Sequence, residues 1–268
     1  MTDLGIKIML PRKKKSLGQH FLHDQNILRK IVELIAPNPH DNLIEIGPGA
    51  GALTTKLLPL VNSLDVIELD QDIIPELEKN CGHNQKLRVH LIDVLQVDFT
   101  QFKAPIRLVG NLPYNISTPL LFHLIKNIKI AATYPLIKDM HFMLQKEVAE
   151  RITASPGSKI YGRLSVMLQY YCEVKLLLHI GSGAFFPAPK VASAFIRLIP
   201  RKNPAVSASD ENKFSDIVRD AFNQRRKTIA NSLKPYLTAS QLEQIGINPE
   251  LRPEQLSVEE FVKITWIK

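Results

Sequence analysis

Between about residue 20 and residue 200, short apolar runs alternate with stretches of helical periodicity. From Asp24, "DQNILRKIVELIA" sets Ile27, Ile31 and Ile35 at i, i+4 and i+8, one face of a helix, with Asp24 as its N-cap. "NPHDN" breaks that pattern. Strands are then predicted at "LIEIG" (43–47), "LDVIEL" (64–69), "LRVHLID" (87–93), "IRLVG" (106–110) and "DMHFML" (139–144). The intervening helices are predicted over roughly 52–60, 71–80, 118–127 and 145–154. A further helix, "RLSVMLQYYC", precedes "EVKLLLHI" and "SAFIRLI". Such alternation predicts an α/β fold, a mostly parallel sheet covered on both faces. Near Pro200 the texture changes: "PRKNPAVSASD" reads as a linker, and from about 210 onward only helical patterns remain. The predicted organisation is an α/β domain over 1–200 and a small all-helical domain over 201–268.

Composition narrows the setting. The 268 residues are 45% hydrophobic and 22% charged, and no apolar run approaches the roughly 20 residues needed to cross a bilayer. The N-terminal "MTDLGIKIMLPRKKK" carries its charge after its apolar residues, the reverse of a secretion signal, so a mobile arm is expected there. Cys81 and Cys172 stand far apart in no metal or redox spacing; buried, reduced thiols and a reducing cytosol are expected. The net charge is +8, with basic residues gathered in "PRKKK" (11–15) and "QRRK" (224–227). Either cluster alone reads equally as a solvated face. Two of them on a basic chain point to a polyanionic partner, nucleic acid.

The candidate chemistry begins at "EIGPGAG" (45–51), where a strand ends and a helix opens. Gly47, Gly49 and Gly51 let backbone approach a ligand closely, and a helix N-terminus offers free N–H groups. The next strand ends at Glu68, followed by Leu69 and Asp70, and an acid there can accept hydrogen bonds from both hydroxyls of a ribose. The third strand ends at Asp93, placed to reach an adenine amino group. Two readings fit this pattern. "GPGAGA" satisfies the dinucleotide fingerprint G-x-G-x-x-G/A of an NAD enzyme. Against that stands Glu45, poorly placed beside a pyrophosphate and better suited to a cationic ligand, with no evident hydride-transfer pair downstream. A bare turn is the weakest reading, since three glycines and two strand-end acids coincide.

The fourth strand runs into "GNLPYNIS" (110–117). With S-adenosylmethionine as ligand these residues acquire roles. An exocyclic adenine amine is a poor nucleophile, because its lone pair is delocalised into the ring. Two acceptors on the amine hydrogens, the Asn111 side-chain oxygen and the Leu112 carbonyl, would draw the nitrogen towards tetrahedral geometry. Pro113 stiffens the turn that aims the carbonyl. Tyr114 offers a face on which a base stacks, worth roughly 1–3 kcal/mol. Orientation is the main contribution, and no strong general base is required. Taken alone, Asn-Leu-Pro-Tyr is a simple turn with its tyrosine packed inward; behind a fourth strand, beside a glycine loop and two acids, it reads as catalytic.

The chain resembles the ribosomal RNA adenine N6,N6-dimethyltransferase family, and specifically its bacterial small-subunit branch. The resemblance lies in "SLGQHFLHD" (16–24), "EIGPGAGALT" (45–54), "VIELD" (66–70), "GNLPYNISTPLLFHL" (110–124), "MHFMLQKEVAERI" (140–152), "YGRLSVMLQYY" (161–171), "FFPAPKVASA" (185–194) and "FNQRRKTIANSL" (222–233). It spans nearly the whole chain. The glycine loop is shared by most methyltransferases, whereas "NLPYNIS" together with the other blocks is specific.

The resemblance implies a Rossmann-like class I methyltransferase sheet with a helical RNA-binding tail. It implies S-adenosylmethionine as donor, held by His20, Leu22, Gly47, Glu68, Asp93 and Asn111, with no metal. Asn111, Leu112 and Tyr114 would handle the target adenine, and Phe185 would close on the base opposite Tyr114. His20 stands where the family has Asn or His, and Ala192 replaces a usual Asp in "KVDS", a change expected to touch packing or RNA contact. The implied reaction dimethylates two adjacent adenosines in a hairpin loop near the 3′ end of small-subunit rRNA during subunit biogenesis. A loop suits this chemistry, since unstacked bases enter a pocket cheaply. The implied partner is the pre-30S particle, held through phosphates by the tail and the basic clusters, and the implied enzyme is a cytoplasmic monomer away from membranes. Two rivals remain: a non-catalytic assembly factor on the same fold, and a relative that methylates large-subunit rRNA and confers antibiotic resistance. The intact Asn-Leu-Pro-Tyr speaks against the first and "FNQRRKT" against the second.

Overall fold

The structure, a computed structural model, describes residues 20–130, 136–202, 206–224 and 226–267. The basic run 11–15 and Arg225 of "QRRK" lie outside the described residues. In chain order the elements are β1 (Phe21–Leu22), α1 (Gln25–Ile35), β2 (Asn42–Ile46), α2 (Thr54–Leu57), β3 (Leu64–Glu68) and α3 (Ile74–Asn80). There follow β4 (Leu87–Leu91), β5 (Ile106–Asn111), α4 (Ser117–Ile130), β6 (Ile137–Gln145), α5 (Lys146–Thr153) and α6 (Arg163–Tyr171). Then come β7 (Cys172–Ile180), β8 (Phe185–Phe186), β9 (Ser193–Pro200) and the C-terminal helices α7 (Glu211–Asn223), α8 (Ile229–Ser232), α9 (Ala239–Gln244) and α10 (Val258–Ile264).

Helix α1 starts where Asp24 caps it, the carboxylate accepting from the Asn26 and Ile27 N–H groups at 2.8 and 3.1 Å. Its buried face is Leu28, Ile31 and Ile35, with Ile27 only partly covered. The predicted helix over 52–60 is shorter: α2 holds four residues, and Pro59 converts the rest to a 3₁₀ turn, Leu58–Leu60.

Seven strands form one sheet in the order β4-β3-β2-β5-β6-β9-β7. The β2–β3, β2–β5, β3–β4 and β5–β6 pairs are parallel, and β6–β9 is antiparallel. Central strands buried on both faces account for the near-continuous apolar runs of β2, β3 and β5. Gly110 matters at the end of β5, because a Cβ there would be driven into the Ile46 carbonyl oxygen of β2. A separate two-stranded ribbon, unpredicted, pairs β1 with β8 antiparallel, Phe21 opposite Phe186 and Leu22 opposite Phe185. Two-residue strands have no periodicity to read.

The chain forms two compact units. The first takes the residues up to Ala149 and Lys175–Pro200, and the second takes Glu150–Val174 and the residues from Arg201. One crossing, Pro200 to Arg201, falls at the compositional break. The others fall inside α5 and β7, where the sequence shows no break. In the second unit α6 is buried almost all round, from Leu164 to Tyr171, as a core helix must be. Tyr170 packs on Phe214 with centroids 4.5 Å apart, and Phe222 on Phe261 at 5.7 Å. Both cysteines are buried. No helix among the described residues is long and apolar enough to cross a membrane.

Candidate active site

Parallel strands deliver their C-terminal ends to one edge of the sheet, and ligands bind in the crevice outside that edge. Here the ends of β2, β3 and β5, with the residues after β4, open onto a cavity of about 190 Å³ whose walls all belong to the first unit. The turn after β2 is glycine-built for a physical reason. Gly47 and Gly49 sit at φ +67° and +54°, in the left-handed region that costs an L side chain roughly 1–2 kcal/mol. A Cβ at Gly49 would also press on the Phe21 ring at 3.0 Å, so the glycine lets the β1 ribbon close over the turn.

The strand-end acids both reach the cavity, and both also hold backbone. Glu68 Oε1 accepts from the Leu69 and Asp70 N–H groups at 2.8 and 2.9 Å, and Oε2 accepts from the Gly49 N–H at 3.3 Å. It therefore ties the end of β3 to the glycine turn. Burial raises its pKa despite those bonds, with the Asp70 charge adding to the rise. Asp93 lines the cavity and caps a short turn, accepting from the Leu95 N–H at 2.9 Å. Glu45, fully enclosed, accepts from Thr54 Oγ1 at 2.7 Å. Burial, reinforced by the Glu68 charge, pushes its carboxyl up to about 7.

At the end of β5 the Asn111 amide is oriented from outside the strand. Its Nδ2 donates to the His20 carbonyl at 2.9 Å, and a carbonyl can only accept, so Oδ1 is the atom left to accept from elsewhere. The Leu112 side chain is buried, its N–H donates to the Met143 carbonyl at 3.1 Å, and its own carbonyl receives no hydrogen bond among the described residues. Tyr114 lines the same cavity, with the His20 ring tilted across it at 5.5 Å between centroids. His20 is fixed in turn by Nδ1–H donating to the Pro187 carbonyl at 2.7 Å. His20, Leu22, Gly47, Glu68, Asp93, Asn111, Leu112 and Tyr114 thus converge on one space.

Phe185 does not. It is 2% exposed and belongs to the core cluster with Leu22, its partner across the ribbon, and it is absent from the cavity wall. Neighbours on a strand face opposite ways, so the exposed ring of β8 is Phe186. At Ala192 the structure shows a backbone role, the carbonyl accepting from the Lys146 N–H at 2.9 Å. Sequence reasoning missed Leu69 and Ile92, which line the cavity yet remain 56% and 38% exposed beside Glu68 and Asp93. An apolar residue directly after a strand-end acid is a signal that would have found Leu69. It also missed Ser193, whose Oγ lies 2.7 Å from Tyr114 Oη.

A bound nucleoside needs close backbone approach, acceptors for its hydroxyls and an apolar slot for its base. The glycine turn, Glu68 with Asp93, and the uncovered faces of Leu69 and Ile92 meet those needs. The enclosed Glu45 carboxyl beside the turn is ill matched to a pyrophosphate.

Residues 11–268 match the family model described as ribosomal RNA adenine dimethylase. The protein named ribosomal RNA small subunit methyltransferase A in Coxiella burnetii (strain CbuG_Q212) is 50% identical over 254 residues, 94% of this chain and 96% of its own. Its namesake in Marinobacter nauticus is 47% identical over 253 residues, 94% of this chain and 90% of its own. Among solved structures, a dimethyladenosine transferase from Plasmodium falciparum gives a TM-score of 0.77 at 29% identity, covering 91% of this chain and 96% of that one. The 23S rRNA methyltransferase ErmE shares the fold, with a TM-score of 0.69 at 22% identity over 92% of this chain and 98% of that one.

Proposed function

Because the chain belongs to the ribosomal RNA adenine dimethylase family, we propose that this cavity methylates N6 of two adjacent adenosines in a hairpin loop near the 3′ end of small-subunit rRNA, each twice. The enzyme is an S-adenosylmethionine-dependent rRNA adenine dimethyltransferase on a Rossmann-like sheet. Family membership removes the NAD reading of the glycine turn. Its substrate particle is an assembling small subunit, and it acts as a cytoplasmic monomer.

S-adenosylmethionine, when bound, supplies a methyl group on a positively charged sulfur. Gly47, Glu68 and Asp93 would hold it, with His20 and Leu22 from the N-terminal strap and Asn111 beside them. The chain's own task is to present the acceptor amine. Asn111 Oδ1 and the Leu112 carbonyl, neither accepting a hydrogen bond among the described residues, are two acceptors from successive residues for the two amine hydrogens. The Tyr114 ring offers the stacking surface, and a positioned amine needs only correct aim. Phe185, buried in the core, is given no part.

The observation that carries the proposal is the Asn111 amide, anchored through its nitrogen with its oxygen left to accept at a cavity shared with the glycine turn. The test is methyl transfer to small subunits from a strain lacking this enzyme, read by the mass of the modified fragment, with Asn111→Ala as control. Mass gain of four methyl groups on one loop fragment, absent with Asn111→Ala, is expected. Methylation mapped to large-subunit rRNA instead would overturn the site assignment.

A further inference from the structure

The Tyr114 ring is held at two points. His20 lies across it, the ring planes 31° apart. At the far end, Tyr114 Oη and Ser193 Oγ are 2.7 Å apart, one hydroxyl donating to the other. Ser193 is wholly enclosed, at 0% exposure, and opens β9, where Gln145 of β6 stands opposite. The strand is fixed just before it by the Lys146 N–H bond to Ala192. Phe195, two residues further and therefore on the same face of β9, lines the cavity. Ser193 Oγ has no other hydrogen-bond partner among the described residues.

We propose that Ser193 is a positioning residue for methyl transfer, its hydroxyl anchoring Tyr114 Oη so that the ring face is held against the incoming adenine. The inference rests on the reading of Tyr114 as the purine's stacking surface. Two restraints are needed because a tyrosine ring has two torsions, and the second is broad. A hydrogen bond at Oη fixes the direction of the ring's long axis but permits rotation about it. His20, packed across the ring, opposes that rotation. Loss of the Ser193 bond would leave the ring in place and misaimed, and small misplacement of this kind slows transfer without loosening donor binding.

A double-mutant cycle on the full chain tests this, with Ser193→Ala, Tyr114→Phe and the pair assayed on unmethylated small subunits. Each single change is expected to lower kcat roughly three- to tenfold. The pair should be no slower than Tyr114→Phe alone, and calorimetric donor affinity should be unchanged. The proposal is overturned if Ser193→Ala slows transfer as much in the Tyr114→Phe background as in the wild type, or if it lowers the melting temperature with kcat intact. Should Ser193→Ala fail to fold, Tyr114→Phe removes the same bond from the other partner, and an unchanged kcat overturns the anchor. Tyr114→Ala tests the underlying reading separately. Transfer at the wild-type rate without the ring would refute stacking itself, whereas loss with Tyr114→Ala and none with Tyr114→Phe would refute only the anchor.

Discussion

The two edges of the parallel strands carry buried charge in opposite styles. Where the strands begin, Arg107 of β5 is 5% exposed and every side of its guanidinium is used. Nε donates to both Asp139 oxygens at 2.9 and 3.1 Å, Nη1 to Asp41 at 2.6 Å and the Ala36 carbonyl at 3.2 Å, and Nη2 to the Ile35 carbonyl at 2.6 Å. One cation thus satisfies two carboxylates and the C-terminal carbonyls of α1, where a positive charge is favoured. Burial alone would raise the Asp139 pKa, but the His141 imidazole 3.5 Å away and Arg107 hold it below the usual carboxylate range. Where the strands end, the pattern inverts. Glu45 and Glu68 face no cation among the described residues, and burial raises both. Asn111 Oδ1 and the Leu112 carbonyl accept from none of the described residues. Buried charge is tolerated when it is matched, and the acceptors of Asn111 and Leu112 stand at a cavity a ligand can enter.

The contrast can be broken from either edge. Arg107→Met should have the largest effect on folding, about 3–5 kcal/mol by denaturant titration, because two carboxylates lose their buried partner. Its kcat, measured cold on folded protein, should stay near wild type, and wild-type stability would show that the closed cluster is not structural. Asn111→Ala should do the reverse, cutting transfer about 10²–10³-fold, the loss typical of one removed positioning group, with melting within roughly 2–4 °C of wild type. Glu68→Ala should weaken donor affinity about tenfold by calorimetry, as loss of a charge-assisted hydrogen bond predicts, and should also loosen the glycine turn it ties down. Donor affinity indifferent to Glu68 would mean that the ribose lies elsewhere.

The smallest effect is a difference in pH dependence. The Glu45 carboxyl is raised from 4.5 to about 7 in the folded state. Between those values the folded protein holds the extra proton, so stability is full below 4.5 and falls as pH rises through 7. Ligand-free protein should therefore melt at a higher temperature near pH 4.5 than above pH 7, and Glu45→Gln should flatten the slope. Asp41 and Asp139, lowered from 3.8, act with the opposite sign: their stabilisation is present above that value and is lost as pH falls below it.

Much of the site was legible because strand ends are local. Gly47, Glu68, Asp93 and Asn111 could be placed on one edge from apolar runs and their spacing, and the structure sets all four on one cavity. Phe185 was expected to close on the base opposite Tyr114, and the structure places its ring in the core. "FF" offers two adjacent rings, and only the pairing of Leu22 with Phe185 shows that this one turns into the core. Leu69 and Ile92 looked like strand residues, and their exposure at the cavity rim is a fact of what surrounds them.

By itself the sequence determined the succession of strands and helices, the glycine turn, the strand-end acids and the membership of a family. All are properties of neighbouring residues or of the chain read as a line. Tertiary structure alone decided which atom of Asn111 is free, which ring of β8 faces out, and what holds Tyr114. The deciding bonds join residues 91 and 79 positions apart, His20 to Asn111 and Tyr114 to Ser193. No local pattern encodes such pairs, because they exist only once the sheet has brought its edges together.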